Sequence, residues 1–342
     1  MNAIRFHAFG NADVLKYEKI EKPVLTGGEV LIRMKAAALN HLDVFIRSGE
    51  REKNIPLPHV PGSDGAGVIE EIGSSGTSFK KGDRVLISPG IGCGNCSFCL
   101  GGRENMCARY HVLGTLEDGT YAEYVKLPFR NILPMPEKMS FQEGAAFPLV
   151  FLTAWHMLIA LAKIKEGETV LVHGGGSGVG TAAIQIVKLF KGRVITTAGS
   201  DEKLSLAKKL GADEVINYRE KNFIEEARRM TDKQGVDVVF EHTGGEIFEK
   251  SIKIMKKGGR LVTCGSTTNY LATTDLRYLF SKQLTLYGSF MGTKEELVKT
   301  LYYYDLGILK PVIGSEFPLA KAADAHRRME QRLNIGKIVL TI

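Results

Sequence analysis

The spacing of apolar residues changes character twice along the chain. Up to about residue 90 they fall in short runs broken by Gly and Pro, as in EVLIRMKAAALN, GAGVIEEIG and GDRVLISPG. Interrupted runs of this kind predict strands in an antiparallel, barrel-like arrangement. Residues 121–134 add the strand YAEYVKLP and a proline-rich link. From about 149 to 291, strand and helix patterns alternate. TVLVHGGGSGVGTAAIQIVKLFKGRVITTAGS reads as strand, glycine turn, helix, strand. Its VLV is a continuous apolar strand of the sort buried on both faces of a parallel sheet. The helix is predicted over Thr181–Phe190, with Ala182, Ile186 and Leu189 on one face. KLSLAKKLGA predicts a helix closed by Gly211, followed by the strand EVINY. DVVFEHTGG, RLVTCGS and LTLYGSF each read as strand then turn. This alternation predicts an α/β unit with a doubly wound parallel sheet. From 292 to 342 come the helix KEELVKTLYYYDLG, the stretch KPVIGSEFPL, a helix around Ala320–Arg332 and a last strand, KIVLTI.

The glycine run Gly175, Gly176, Ser177, Gly178, Val179, Gly180 sits where a strand turns into a helix. Small residues there permit the tight turn and let the backbone approach a pyrophosphate, which then meets the positive end of the helix. Ser177 holds the middle glycine position of the usual G-x-G-x-x-G. The strand–turn–helix–strand frame makes this run a dinucleotide site, where a lone run would be weak evidence. An NAD site ends its second strand with Asp or Glu to bond the ribose 2′-hydroxyl. Here Ala198 stands in that place, and Ser200, Lys203, Tyr218 and Arg219 follow. Hydroxyls and cations suit a 2′-phosphate, so NADP(H) is favoured over NAD(H). Asp201 and Glu202 nearby leave NAD open.

Four of the five cysteines, Cys93, Cys96, Cys99 and Cys107, are spaced C-x2-C-x2-C-x7-C. Four thiolates close a tetrahedral zinc site with no open position, which supports a fold rather than performing chemistry. Two disulfides or an iron–sulfur cluster are the alternatives, and the two-residue spacings favour chelation in a reducing compartment. Cys264 follows an apolar run and is expected to be a small buried residue.

Composition adds limits. A chain of 342 residues with 44% hydrophobic content supports two cores. MNAIRFHAFG has no apolar signal core and no stretch is long enough to span a bilayer, so a cytoplasmic protein with no membrane partner is expected. The net charge is +7, but basic and acidic residues are interleaved, so no nucleic-acid partner is expected.

Taken together, the N-terminal strands, the cysteine lobe, GGGSGVG, EHTGG, GGRLVTCGS and GKIVL resemble the medium-chain dehydrogenase/reductase superfamily over essentially the whole chain. The lobe looks like the structural zinc lobe of the zinc-type alcohol dehydrogenases, and NHLDVFIRSG is similar to the matching stretch of the quinone oxidoreductases. The resemblance implies a GroES-like β-barrel catalytic domain formed by both chain ends (1–148, with the lobe at about 90–110, and 292–342). It implies a Rossmann domain at 149–291 between them, and a homodimer or homotetramer. It also implies cofactor contacts from Thr153, His242, Thr243, Gly265, Ser289 and Lys337. Substrate selection would fall to Phe45–Pro58 and to residues near Phe280–Met291.

The same resemblance exposes a gap. Zinc-type alcohol dehydrogenases hold a second, catalytic zinc. Motif by motif, Asn40 stands at its first cysteine, Ser63 at its histidine, Asp64 at its acid, and Leu149 near its third ligand. Leu42 replaces the hydroxyl that passes a proton. Asn, Ser and Leu do not make a tight zinc site. A rescued set from His41, His59, His156 and Asp64 is the alternative. Without a Lewis acid, charge on the substrate oxygen must be met by hydrogen-bond donors. The candidates are Asn40, His41 and Ser63, with Asp43 and Asp64 orienting them or relaying a proton. Asn40 could instead cap the chain locally, and Asp64 could belong to a buried salt bridge. The sequence therefore predicts an NADPH-dependent reductase of a carbonyl, enone or quinone. The alternatives are a zinc-type NAD(P)-dependent alcohol dehydrogenase with an atypical metal site, acting on an alcohol, or a non-catalytic nucleotide- or RNA-binding protein.

Overall fold

The computed structural model describes residues 1–50, 54–73 and 77–342. Contacts divide it into two compact units. The first comprises Met1–Leu149, Thr293–Asp305 and Lys310–Ile342; the second comprises Val150–Gly292 and Leu306–Leu309. Both chain ends thus lie in the first unit, and a four-residue piece of the C-terminal stretch groups with the second.

In the first unit a sheet runs in the order Ile313–Pro318, Lys337–Thr341, Glu29–Ala38, Asp64–Ile72, Arg84–Ile87, Ile132–Pro134, with Tyr124–Pro128 also on Glu29–Ala38. The long Glu29–Ala38 strand alternates as strand geometry requires. Val30, Ile32 and Met34 enter one core with Ile69, Val85 and Ile132. Ala37 enters another, with Phe6, Tyr121, Ile338 and Leu340. The pairings are antiparallel except at one edge. Ile313–Pro318, for which the sequence set no strand direction, runs parallel to Lys337–Thr341. The cause is the Ala322–Glu330 helix between them, a crossover that returns the chain to the same end of the sheet.

The second unit holds a six-stranded parallel sheet among the described residues. Its order is Glu214–Asn217, Arg193–Ala198, Thr169–Val172, Val236–Glu241, Met255–Thr263, Thr285–Gly288. The strand order reverses at Thr169–Val172, which is the doubly wound pattern expected. Val170, Leu171 and Val172 are fully buried. The following helix spans Gly178–Leu189 and begins three residues earlier than predicted, because the Ser177 hydroxyl accepts the Gly180 N–H at 3.0 Å and caps it. It is buried without a break from Gly180 to Val187, so it lacks the single apolar face predicted for it, and Leu189 is only half-buried. Cys264 is likewise half-buried rather than buried, since the Met255–Thr263 strand ends just before it.

Candidate active site

The glycine turn is tightly built. Gly174 has φ +63°, and a methyl group at Gly180 would stand 2.2 Å from the Gly174 carbonyl oxygen. One at Gly175 would meet Thr196 Oγ1 at the same distance. Thr196 is held there by donating to Val172 O at 2.7 Å. The turn therefore packs closely against the second strand at the start of a long helix, the kind of position that receives a pyrophosphate. At the end of that strand, a methyl group at Gly199 would come within 2.6 Å of the Tyr218 hydroxyl and 3.1 Å of Arg219 Nε. The aliphatic stem of Lys203 lies against Gly176. Ser200 caps the next helix, accepting the Lys203 N–H at 3.5 Å. No carboxylate occupies the end of the strand; Asp201 sits in the first turn of that helix, 3.5 Å from Asn217 Nδ2.

Further along the sheet, Glu241 is fully buried and accepts the N–H groups of Thr243 and Gly244 at 2.5 and 2.7 Å and the Thr263 hydroxyl at 2.9 Å. It fixes the His242–Gly245 turn, and Thr263 Oγ1 also lies 3.1 Å from Gly265 O. His242 Nε2 donates to His173 O at 3.0 Å. His173 is itself buried between Thr197 and Ser251, and burial pulls its imidazole down to about 4, so it is neutral. Thr153 lies 3.9 Å from Met291 Sδ. The Ser289 hydroxyl is buried without a partner among the described residues.

The first unit carries a second, largely buried polar cluster. Lys337 Nζ donates to Asn40 Oδ1 at 2.7 Å and to Asp64 Oδ2 at 2.9 Å. Asn40 Nδ2 donates to the same Asp64 oxygen at 3.0 Å, and the Leu149 N–H donates to Asp64 Oδ1 at 3.0 Å. Lys337 is 3% exposed and Asp64 is 0% exposed. Ser63 beside it has a buried hydroxyl with no partner among the described residues. Asn40 precedes the His41–Ser48 helix, and Asp43 reaches back to accept the Asn40 N–H at 2.8 Å. The same Asp43 oxygen accepts the Tyr121 hydroxyl at 3.0 Å. His41 opens the helix half-buried, its ring 6.3 Å from that of Phe45. Behind this layer, Arg47 donates to Glu330, and His326 packs edge-on against Tyr121 at 5.9 Å, held neutral at about 3 by burial and by Arg47.

Burial raises the Asp43 carboxyl to about 7, outweighing the Asn40 N–H, Lys337 and Tyr121, which pull it down. The unfolded chain would release this proton near pH 4. Between those values the native state holds a proton that the unfolded state does not, so stability falls as pH rises through the window. Urea unfolding of the native protein should show a loss on the order of 4 kcal/mol from this group between pH 4 and 8. In Asp43→Asn that part of the slope is expected to vanish; an unchanged slope would assign the proton elsewhere.

In the cysteine lobe, the sulfurs of Cys93, Cys96, Cys99 and Cys107 all lie within 4.8 Å of one another, with Cys93 and Cys99 at 3.8 Å. Tetrahedral zinc with arms of about 2.3 Å needs sulfurs about 3.8 Å apart. The Asn95 N–H lowers the Cys93 thiol to about 5. The lobe is tied to the rest of its unit by Arg130, which donates to Gly92 O at 2.9 Å, and by Glu104, which accepts the Lys294 N–H at 2.5 Å.

Comparison with known proteins agrees with both units. Residues 26–137 match the alcohol dehydrogenase GroES-like domain, and residues 178–302 match the zinc-binding dehydrogenase domain. The quinone oxidoreductase of Homo sapiens is 35% identical over 352 aligned residues, taking in 100% of this chain and 98% of that protein. The chain belongs to the medium-chain dehydrogenase/reductase superfamily, in its zinc-type alcohol dehydrogenase and quinone oxidoreductase branch. An alcohol dehydrogenase of Geobacillus stearothermophilus is 32% identical over 330 residues, with 96% of each chain covered. A crystal structure described as an NAD-dependent alcohol dehydrogenase superposes with a TM-score of 0.97 at 46% identity, covering 100% of both chains.

This superfamily member is therefore an NAD(P)H-dependent oxidoreductase of two-domain α/β fold. Among the described residues no helix is long and apolar enough to cross a membrane. Of the residues singled out in the sequence, Gly175–Gly180, Ser200, Lys203 and Tyr218 come together around one turn. Asn40, Asp43, Ser63 and Asp64 come together in the other unit. Lys337, expected at the cofactor, is bonded to Asn40 and Asp64 in the first unit, because the Lys337–Thr341 strand pairs with Ala36–Ala38 and so delivers it beside Asn40. His59 is spent on Gly114 O at 3.0 Å. Residues 51–53 of the Phe45–Pro58 stretch lie outside the described residues. Glu241, Tyr121, Arg47 and His326 are not marked by any motif or spacing in the sequence. Only a charged or polar residue inside an apolar pattern could have pointed to them.

Proposed function

We propose that this enzyme is an NADPH-dependent reductase of activated carbonyl compounds, an enone or a quinone, working without a catalytic zinc. One observation carries the reading: the donor atoms at the expected metal position are already engaged. Both Asp64 oxygens and the Asn40 oxygen are taken by Lys337, Asn40 Nδ2 and the Leu149 N–H. A second zinc would have to displace a buried ammonium and would find no thiolate or imidazole among Asn40, Ser63 and Leu149. The residues do not fit that metal, whereas the four thiols of the lobe fit one structural zinc.

Bound NADPH supplies a hydride to the substrate carbon, and the substrate oxygen takes up negative charge. Asn40 keeps a second N–H, and the Ser63 hydroxyl is unspent; these are the donors available to that oxygen. The proton that completes the reduction comes from water, while Asp43 holds the Asn40 backbone through the Asn40 N–H. An enone or quinone delocalises its developing charge and needs less help than a plain ketone. The test is a panel of a quinone, an enone, a simple ketone and a primary alcohol, run with and without chelator. Chelator-insensitive turnover of the first two supports the reading. Chelator-sensitive alcohol oxidation would favour the zinc dehydrogenase, and turnover of nothing with salt-sensitive RNA binding would favour the non-catalytic one.

For the cofactor, the absent carboxylate at Ala198 and the closeness of Arg219 and Tyr218 to Gly199 support NADPH. The NAD named for the 46% identical structure favours the other nucleotide. Arg219→Ala decides between them. Loss of a charge-assisted phosphate contact, about 1.5–3 kcal/mol, should raise the KM for NADPH about 10- to 100-fold and leave that for NADH unchanged. Equal, small effects on both would point to NAD.

A homodimer or homotetramer in the cytoplasm completes the reading. The Thr285–Gly288 strand ends its sheet, with exposed Leu276, Phe280 and Phe290 on either side of it in sequence. Sedimentation of a single monomeric species would overturn that part.

A further inference from the structure

We propose that Lys337 is the internal counter-cation of the first unit's polar cluster and the positioning residue for the Asn40 amide. The second half rests on the reductase reading; the first does not. A carboxylate as buried as Asp64 is tolerated only when paired and hydrogen-bonded. Lys337 supplies the charge from the far end of the chain, 273 residues away. Its placement is set by the backbone. Gly336 has φ +58°, the Lys337 N–H donates to Val312 O at 2.8 Å, and the Leu39 N–H donates to Ile338 O at 2.9 Å. That register leaves the ammonium beside Asn40.

The consequence for Asn40 is a fixed amide. Its oxygen faces the ammonium and one N–H faces the carboxylate. Turning the amide over would set NH2 against NH3⁺ and oxygen against oxygen, two repulsions in a site with little water to screen them. One orientation survives, and its second N–H is available to a substrate oxygen. Lys337 thus does, through hydrogen bonds, the fixing of geometry and charge that a metal ion does at such a position. The other charged group facing this pair among the described residues is Asp43, whose carboxyl feels both Lys337 and Asp64.

The experiment compares the full-length native protein with Lys337→Met, Lys337→Arg, Asp64→Asn and the Lys337→Met/Asp64→Asn double variant. Each is measured by urea unfolding and by steady-state reduction of a quinone. Lys337→Met should raise the unfolding equilibrium constant about 10²- to 10³-fold, because it strands a buried carboxylate. Adding Asp64→Asn should recover most of that, since an amide needs no counter-charge. If Lys337→Met does not fold, the double variant must; a double variant that is no more stable than Lys337→Met overturns the counter-cation. In turnover, Lys337→Met, or the double variant in its place, should lose kcat about 10- to 100-fold with the KM for NADPH unchanged, and Lys337→Arg should restore much of it. A raised KM with kcat intact overturns the positioning role and returns Lys337 to the cofactor. If the native protein reduces no acceptor, the reductase reading and the positioning role fall together, while the unfolding comparison still decides the counter-cation.

Discussion

Serine in place of Cys107 is expected to remove the structural zinc proposed for the lobe and to destabilise the first unit by several kcal/mol. Cys107 is the buried member of the four-thiol cluster and the one that closes it from the far side of a seven-residue gap. Serine keeps the shape and removes the soft ligand. With three thiolates the site loses its tetrahedral closure, and loss of a structural metal belongs to the small class of changes worth more than about 4 kcal/mol. The lobe has little else to hold it: a four-residue helix, Ser97–Leu100, and a short turn at Glu104–Met106, neither with a buried residue. Its ties through Arg130 and Glu104 would carry the loss into the unit, the latter at the start of the Lys294–Asp305 helix. Differential scanning calorimetry with elemental analysis checks this. The quinone reductase activity of the protein that remains folded should persist, because the proposed chemistry does not use the lobe.

Alanine at Gly180 is the second large effect, and it falls on the other unit. The added methyl would stand 2.2 Å from the Gly174 carbonyl oxygen, which is backbone and cannot rotate away. The turn must lift from the helix, breaking the bond between Gly180 N–H and Ser177 Oγ that caps it. Overpacking of this kind costs about 1–3 kcal/mol of stability. The nucleotide should suffer more, because several N–H groups are displaced together. Affinity for NADPH is expected to fall about 100-fold or more, the scale of two or three lost charge-assisted bonds. Isothermal titration of the nucleotide measures it, and binding within a few-fold of the native protein would remove the glycine turn from the site.

What the sequence displays well is what is local. The cysteine spacing, the glycine turn and the strand–helix alternation each lie within a few dozen residues, and each follows from geometry that neighbours in sequence impose. Ala198, Lys203, Tyr218 and Arg219 gather at one strand end for the same reason: two adjacent parallel strands both finish there. The polar cluster of the first unit is the opposite case. Asp64 and Lys337 meet only because a terminal strand pairs beside Asn40, and Leu149 contributes a backbone N–H that no side-chain pattern can reveal. Arg47, Tyr121 and His326 look like ordinary helix and strand residues until burial is known. The parallel edge at Ile313–Pro318 was hidden for a related reason, since strand direction depends on the helix that intervenes.

The proposed hydride chemistry uses no catalytic metal and leaves the cysteine lobe as the site for tightly bound zinc. The direct measurement is zinc per chain, by elemental analysis of dialysed native protein that is turning over NADPH with a quinone. About one zinc per chain is expected, falling to none in Cys107→Ser, as a single four-thiolate site requires. Two tightly bound zincs per chain in the native protein, with one retained in that variant, would contradict it.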